Sequence, residues 1–202
     1  MEFKTITEKE ANERFQLSNY IHASYGDEYS YILMEGDVLG DGSLDLNAFC
    51  RSINTYGIIV DGNLTITGAL LQPDLDYGET IFVTGNLHAK SISKGGAEFY
   101  IKGNLVVEQT IYGFSNHGRL TVEGNTEATT IFAEDQHFIF RGDVQGLLID
   151  TGKVDGTESD FYTTEPLLDE LIDNEKHSHY ELLLQYLQEG RPIIKEKYRT
   201  AQ

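Results

Sequence analysis

The chain has 202 residues, and its 33 acidic and 15 basic side chains give a formal net charge of −18. A charge of this sign disfavours nucleic acids and anionic membranes as partners, because both attract basic surfaces. The length fits one domain, and the single cysteine, Cys50, excludes an internal disulfide framework and a cysteine-rich zinc site.

The first thirty residues predict a helical cap. The opening, MEFKTITEKE, lacks the apolar segment of a signal peptide, and no apolar run is long enough to span a membrane. We therefore expect a cytoplasmic protein. Residues 7–17 predict a helix, because Thr7 and Glu10 have the spacing of a capping box. We assign residues 1–30 to a helical or irregular N-terminal cap.

Residues 31–150 contain a repeat of about 21 residues. Apolar residues lie two and four positions before a glycine and, with few exceptions, again at even spacing after it, which indicates short strands with one buried face. Two strands joined at a glycine corner describe the coil of a β-solenoid. We predict a mainly β, single-domain β-solenoid of about six coils over residues 31–150, and a leucine-rich horseshoe or a sandwich stays open as an alternative. The corner glycines are Gly36, Gly62, Gly85, Gly103, Gly124 and Gly142.

The corners themselves predict two features. Glycine permits a positive φ that a β-branched residue could not adopt. The next residue is always Asn or Asp, and stacked corners would place these side chains above one another as a ladder. The interval from Gly36 to Gly62 is 26 residues, longer than the others, so we expect an inserted loop around residues 39–55.

Residues 151–202 read as a connector and C-terminal helices that pack on the solenoid. The connector, TGKVDGTESD, is polar and rich in turn formers. EPLLDELID and HYELLLQYLQEG predict two short helices, the second with Tyr180, Leu183, Leu184 and Leu187 on one face. Gly190 provides a stop signal at its C-terminal end.

An outward-facing column of apolar residues is the first candidate binding surface. The residues three positions before the corner glycines point away from the core by alternation, yet most are apolar. Either the C-terminal helix covers them or they form a surface for binding or self-association. The candidate binding residues in this column are Ile59, Phe82, Tyr100 and Ile139.

Two turns with aromatic and histidine residues are the second candidate. One contains Tyr112, Phe114 and His117, and the other contains Asp135 and His137. The two histidines are 20 residues apart, so we expect them to stack in adjacent coils, as a structural ladder or as a metal or acid–base cluster.

The motifs of enzymes and metal sites are largely missing from the sequence. Asp37, Asp41 and Asp45 with Gly42 resemble a calcium loop, but two key ligand positions hold Leu39 and Ala48. No nucleophile elbow or phosphate loop is present. We therefore predict no catalytic residue, no metal and no cofactor, and assign the nine candidate residues to binding alone.

The G-[ND]-L corners over about residues 56–150 resemble those of bactofilins, the polymer-forming cytoskeletal family of right-handed β-helices. The stretch from VTGNLHAKSISKGG to LTVEGN, with the tail LLLQYLQEGRPII, is also similar to bacterial solenoid proteins, some of which are encoded near polymorphic toxins or cell-contact systems. The first resemblance implies a right-handed coil and self-assembly. The second implies an immunity role.

We predict a non-catalytic acidic binding protein that presents a rigid solenoid wall to a basic protein partner, since its charge would steer such a partner. The toxin-associated resemblance narrows this to an immunity-type neutraliser of a cationic toxin. A bactofilin-like scaffold, hence a homo-oligomer, is the alternative. A carbohydrate-processing β-helix enzyme is the second alternative.

Overall fold

The computed structural model describes residues 3–21, 29–76, 78–114, 117–151, 153–155, 158–175 and 177–199. The strands are β1 (Lys4–Thr7), β2 (Ser30–Glu35), β3 (Val38–Gly40), β4 (Leu44–Asp45), β5 (Gly57–Asp61), β6 (Leu64–Gln72), β7 (Thr80–Val83), β8 (Leu87–Lys94), β9 (Glu98–Ile101), β10 (Leu105–Phe114), β11 (Arg119–Val122), β12 (Thr126–Glu134), β13 (His137–Phe140), β14 (Val144–Asp150) and β15 (Lys153–Asp155). The helices are α1 (Glu8–Phe15), α2 (Leu46–Ile53), α3 (Tyr180–Glu189) and α4 (Glu196–Arg199), with 3-10 turns at Leu17–Asn19 and Asp169–Leu171.

Two sheets wind around a common core and confirm the mainly β solenoid. The first sheet has the order β1-β2-β5-β7-β9-β11-β13-β15, and the second has the order β14-β12-β10-β8-β6-β3, with β4 also paired to β6. All these pairs are parallel except β1 with β2. The solenoid has about four turns rather than the six predicted. The first repeat is interrupted by α2, which occupies the expected inserted loop, and the last ends at the three-residue strand β15.

The second strand of each repeat bends, which gives the solenoid three walls. Register shifts mark the bend, for example between Ile66 and Ala69 in β6 and between Val107 and Thr110 in β10. Wall A comprises the first strands β2, β5, β7, β9, β11 and β13. Wall B comprises residues 38–40, 64–66, 87–89, 105–107, 126–128 and 144–146, before the bend. Wall C comprises residues 44–45, 69–72, 91–94, 110–114, 130–134 and 147–150, after it.

The core consists of inward-facing residues stacked in columns from turn to turn, as the alternation predicted. On wall A, Ile58, Ile81 and Leu120 are completely buried and pack against inward residues of wall B such as Leu105. This single cluster extends from Ile32 to Leu148 through the interior of the solenoid. Removal of these side chains from water supplies the main favourable free energy of folding.

The corner ladder is present, and it links side chains to the backbone. The Oδ1 atom of Asn104 accepts a hydrogen bond from the backbone N–H of Asn125 at 2.8 Å, and the same bond recurs one turn earlier between Asn86 and Asn104. Each corner therefore fixes the register of the next one.

The sequence predicted that glycine occupies the corners because they need a positive φ, and this explanation is wrong at most of them. Among the six, only Gly36 and Gly62 have a positive φ, of +83° and +157°. The requirement elsewhere is space: a Cβ on Gly103 would lie 2.5 Å from the carbonyl oxygen of Gly85. Stacking of one turn on the next, rather than backbone conformation, excludes a side chain there.

Replacing Asn104 by alanine should lower the free energy of unfolding by about 1 kcal/mol, because the Asn125 N–H loses its acceptor. Urea denaturation measures this. The exposed Gln145, changed to alanine, serves as the control and should shift stability by less than about 0.5 kcal/mol. Equal effects of the two substitutions would show that the ladder does not stabilise the fold.

A buried lysine lies in the interior near the end of wall C. The Lys94 side chain is 0% exposed, and its Nζ donates to the Gly95 carbonyl and to Gln136 Oε1, both at 3.0 Å. Both acceptors are uncharged. Burial lowers the pKa of Lys94 well below its ordinary value, and the nearby charges of Glu98 and Arg119 act in opposite directions. Burial therefore shifts the protonation equilibrium of Lys94 towards the neutral amine.

This lowered pKa predicts a pH dependence. Between the pKa of Lys94 in the folded protein and its pKa of about 10.5 in the unfolded chain, the unfolded chain binds more protons at this side chain than the folded chain does. The contribution of Lys94 to the free energy of unfolding therefore rises with pH across that range. Lys94→Met should remove this rise, which is up to about 1.4 kcal/mol per pH unit, and stabilise the protein at neutral pH. Lys9→Met, at an exposed position, is the control. An unchanged pH profile in Lys94→Met, measured by thermal unfolding, would contradict this account.

Candidate functional site

The predicted binding column on wall A lies beneath the N-terminal segment. Ile59, Phe82 and Tyr100 are 0%, 0% and 6% exposed. The Phe15 ring at the end of α1 lies 6.1 Å from that of Phe82, and the Tyr20 ring lies 4.6 Å from that of Tyr100. Neither alternative open from the sequence holds at these residues: they are not an exposed surface, and their cover is the N-terminal segment rather than the C-terminal helix.

Local sequence explains why this cover forms. Thr7 Oγ1 accepts the Glu10 N–H at 3.2 Å, and Glu10 Oε2 accepts the Thr7 N–H at 2.8 Å, so the predicted capping box starts α1. The helix then buries Ala11 and Phe15 against the apolar column. Ile139, the fourth predicted residue of the column, is half-buried.

Phe82→Ala tests whether this column is core. Deleting a buried phenyl ring should cost about 3–5 kcal/mol of unfolding free energy. Tyr162→Ala, at a ring that is 64% exposed, is the matched control and should cost less than about 0.5 kcal/mol. Urea denaturation that gave the same stability for both variants would restore Phe82 as a candidate for an exposed anchor.

The C-terminal segment covers wall C. The completely buried Tyr112 stacks on Phe132 with ring centroids 5.2 Å apart, and the half-buried Phe114 lies 5.1 Å from Tyr180. Further apolar side chains of this segment complete the contact: Leu167, Leu171, Leu183, Leu187, Ile193 and Ile194.

The predicted second helix is present as α3 and ends at Gly190, with φ +69°, whereas the first is only the short 3-10 turn at Asp169–Leu171.

A buried carboxylate fastens this cover to the solenoid. Glu134 is 6% exposed and accepts hydrogen bonds from Tyr112 Oη at 2.9 Å, from the Ser178 N–H at 3.0 Å and from Ser178 Oγ. Burial, followed by the charge of Glu134, raises the pKa of Tyr112. Beside this cluster lies an open cleft of about 580 Å³ that Phe114 and Asp135 also line. Because Tyr112 and Ser178 donate hydrogen bonds to the Glu134 carboxylate, we assign this cluster a structural role.

The two histidines do not stack. His137 pairs in register with Arg119, because the local repeat is 18 residues long and not 20. His117 Nε2 lies 3.9 Å from Asp76 Oδ1, and His137 Nε2 lies 2.9 Å from Asp155 Oδ2. Within the described ranges, no group of three or more histidine, cysteine or acidic side chains is arranged to hold a metal ion.

Wall B is the part of the solenoid that the described residues of the flanking segments leave uncovered, and sequence reasoning did not single it out. Its outward side chains form one ladder in register along the solenoid. The members are Leu39, Thr65, His88, Val106, Glu127 and Gln145, and we call this surface the open wall. Leu39, Glu127 and Gln145 are exposed, and the other three are half-buried. Outward polarity at alternate positions could have indicated an uncovered face.

Carboxylates on and beside the open wall are not neutralised by basic side chains. In the described part of the chain, no lysine or arginine forms an ion pair with any of them. Elsewhere ion pairs are frequent, as between Arg14 and Asp61 at 2.7 Å. The carboxylates of the open wall and its borders are Asp37, Asp41, Glu108, Glu127 and Asp143.

The nearby basic groups do little to offset these charges. The Lys90 Nζ points to the C-terminal end of α3, where it would lie 2.5 Å from a Cβ on Gly190. The His88 Nε2 atom is 3.6 Å from Glu108 Oε1. The open wall therefore has one carboxylate, Glu127, within it and exposed carboxylates along its borders, which give this part of the solenoid surface a negative charge.

Comparisons with known proteins assign no relative to this chain. No protein-family model matches it, and neither a curated protein nor a solved structure is significantly similar. The resemblance to bactofilins therefore stays a prediction. None of the helices in the described residues is long and apolar enough to cross a membrane.

Proposed function

We propose that this protein binds a basic protein partner through the open wall, without catalysis. The observation that carries the proposal is the difference between the three walls. Apolar cover protects walls A and C, whereas wall B stays exposed and its carboxylates have no lysine or arginine ion-pair partner among the described residues. Unneutralised charge on a preformed surface favours a partner of opposite sign.

Rigidity and long-range attraction support this role. The backbone of wall B is held on both sides by parallel ladders, as in the pairing of Val106 with His88 and Glu127. A preformed surface loses little conformational entropy on binding. The total charge of −18 also raises the rate of encounter with a cation at low ionic strength. An immunity-type neutraliser of a cationic toxin is the specific form of this proposal.

The negative charge of the chain argues against the alternative, a self-assembling scaffold. Asp37 lies at the first corner and Asp143 at the last, and both are exposed. End-to-end stacking of two copies would bring carboxylates together, which opposes pairing. The strand edge of the first sheet is also occupied by β1, antiparallel to β2.

Binding of fluorescein-labelled decalysine tests the proposal. The wild-type chain should bind it, and the affinity should fall when salt is raised from about 20 to 300 mM, because screening weakens the attraction. The double variant Glu127→Lys/Asp143→Lys should bind at least about tenfold more weakly, as measured by fluorescence anisotropy.

The matched control changes the same net charge on other surfaces. Glu13 on α1 and Glu181 on α3 are exposed and lie away from the open wall. Glu13→Lys/Glu181→Lys should weaken binding by less than about threefold. Equal losses in the two double variants would mean that total charge alone governs binding, and the open wall would lose its assigned role.

A further inference from the structure

The end of wall B presents an open strand edge. β3 is the terminal strand of the second sheet. The Val38 N–H donates to the Asn63 carbonyl at 2.8 Å, so the alternation of a parallel ladder directs the N–H and C=O of Leu39 away from β6. The Leu39 side chain is 67% exposed. An edge of this kind is a template for another strand.

An apolar cavity of about 220 Å³ lies inside the solenoid beside this edge. Inward-facing Met34, Val38, Ile58 and Ile66 line it, together with Phe49 of α2. An apolar cavity of about 150 Å³ is large enough to bind benzene. This one therefore has room for one aromatic or branched aliphatic side chain. A strand added beside β3 would direct alternate side chains towards the interior.

The charges next to the edge select the kind of strand that can pair. Asp37 directly precedes β3 and Asp41 directly follows it, and both are exposed. The β3 edge of a second copy would carry the same two carboxylates, and like charges on paired strands oppose association. A strand with lysine or arginine on one side would be attracted instead.

We propose that the β3 edge and its cavity bind an extended basic segment of the partner, which adds a strand to the second sheet and inserts one apolar side chain into the cavity. This inference rests on the proposed function and locates where a partner is anchored. The backbone of Leu39 provides the hydrogen bonds, and Asp37 and Asp41 attract the basic side chains. The cavity selects for an apolar residue between these basic residues of the partner segment.

Titration of the ¹⁵N-labelled 202-residue chain with the peptide KVKFKVK at low salt tests the inference. In the saturated complex the Leu39 amide hydrogen should exchange at least about tenfold more slowly, because it donates to the added strand. The peptide KVKSKVK, which lacks the ring, should bind at least about tenfold more weakly. Unchanged exchange at Leu39 in the saturated complex would overturn the inference.

A backbone variant tests the same edge independently. Leu39→Pro removes the outward N–H and leaves the bonds from β3 to β6, since those use Val38 and Gly40. It should reduce affinity for KVKFKVK at least about tenfold, whereas Leu39→Ala, which keeps the N–H, should reduce it less than about threefold. Equal affinity of the proline variant and the wild type would overturn the inference. If the proline variant does not fold, exchange at Leu39 in the wild-type complex decides.

The two peptides separate this inference from the proposed function. If decalysine binding depends on Glu127 and Asp143 while KVKFKVK leaves Leu39 exchange unchanged, the open wall keeps its role and the edge inference fails. If neither peptide binds, both fail.

Discussion

The close approach of successive turns at the glycine corners is the constraint on which the rest of the structure depends. Neighbouring strands are about 4.8 Å apart, and at this spacing a side chain at Gly103 would collide with the backbone of the turn before it. The same spacing brings Asn104 Oδ1 to the N–H of Asn125. Corners held in this way keep the inward columns aligned, and the aligned columns form one continuous core.

Once the corners are fixed, the three walls differ only in their outward residues. Wall A carries aromatic side chains such as Phe82, and wall C carries Tyr112 and Phe132, so both must be covered. The two chain termini supply these covers. Most outward residues of wall B are polar or acidic, so it needs no such cover, and its carboxylates have no lysine or arginine ion-pair partner in the described ranges. The covers thus leave the surface that we assign to binding.

The sequence predicted what local periodicity determines. The alternation around Gly62 and Gly85 gave the solenoid and its core columns, and local signals gave the capping box at Thr7 and the helix stop at Gly190. These features depend on neighbours within a few residues along the chain, or on a repeat that returns at every turn.

Tertiary packing determines what the sequence did not reveal. The bend that separates wall B from wall C depends on how turns stack, and no residue type marks it. The sequence left the outward column at Phe82 either to the C-terminal helix or to a binding surface, because nothing local shows that α1 folds back over it. His117 and His137 seemed to be neighbours only because the mean repeat hid a local interval of 18 residues.

The most direct test of the account is to map where a cation binds. Titration of the ¹⁵N-labelled chain with decalysine at low salt, followed by amide chemical shifts, reports every contacted residue. The account predicts shifts concentrated at Thr65, His88, Val106 and Glu127, along the open wall. Shifts concentrated instead on the acidic C-terminal segment, around Asp169 and Glu181, would contradict it.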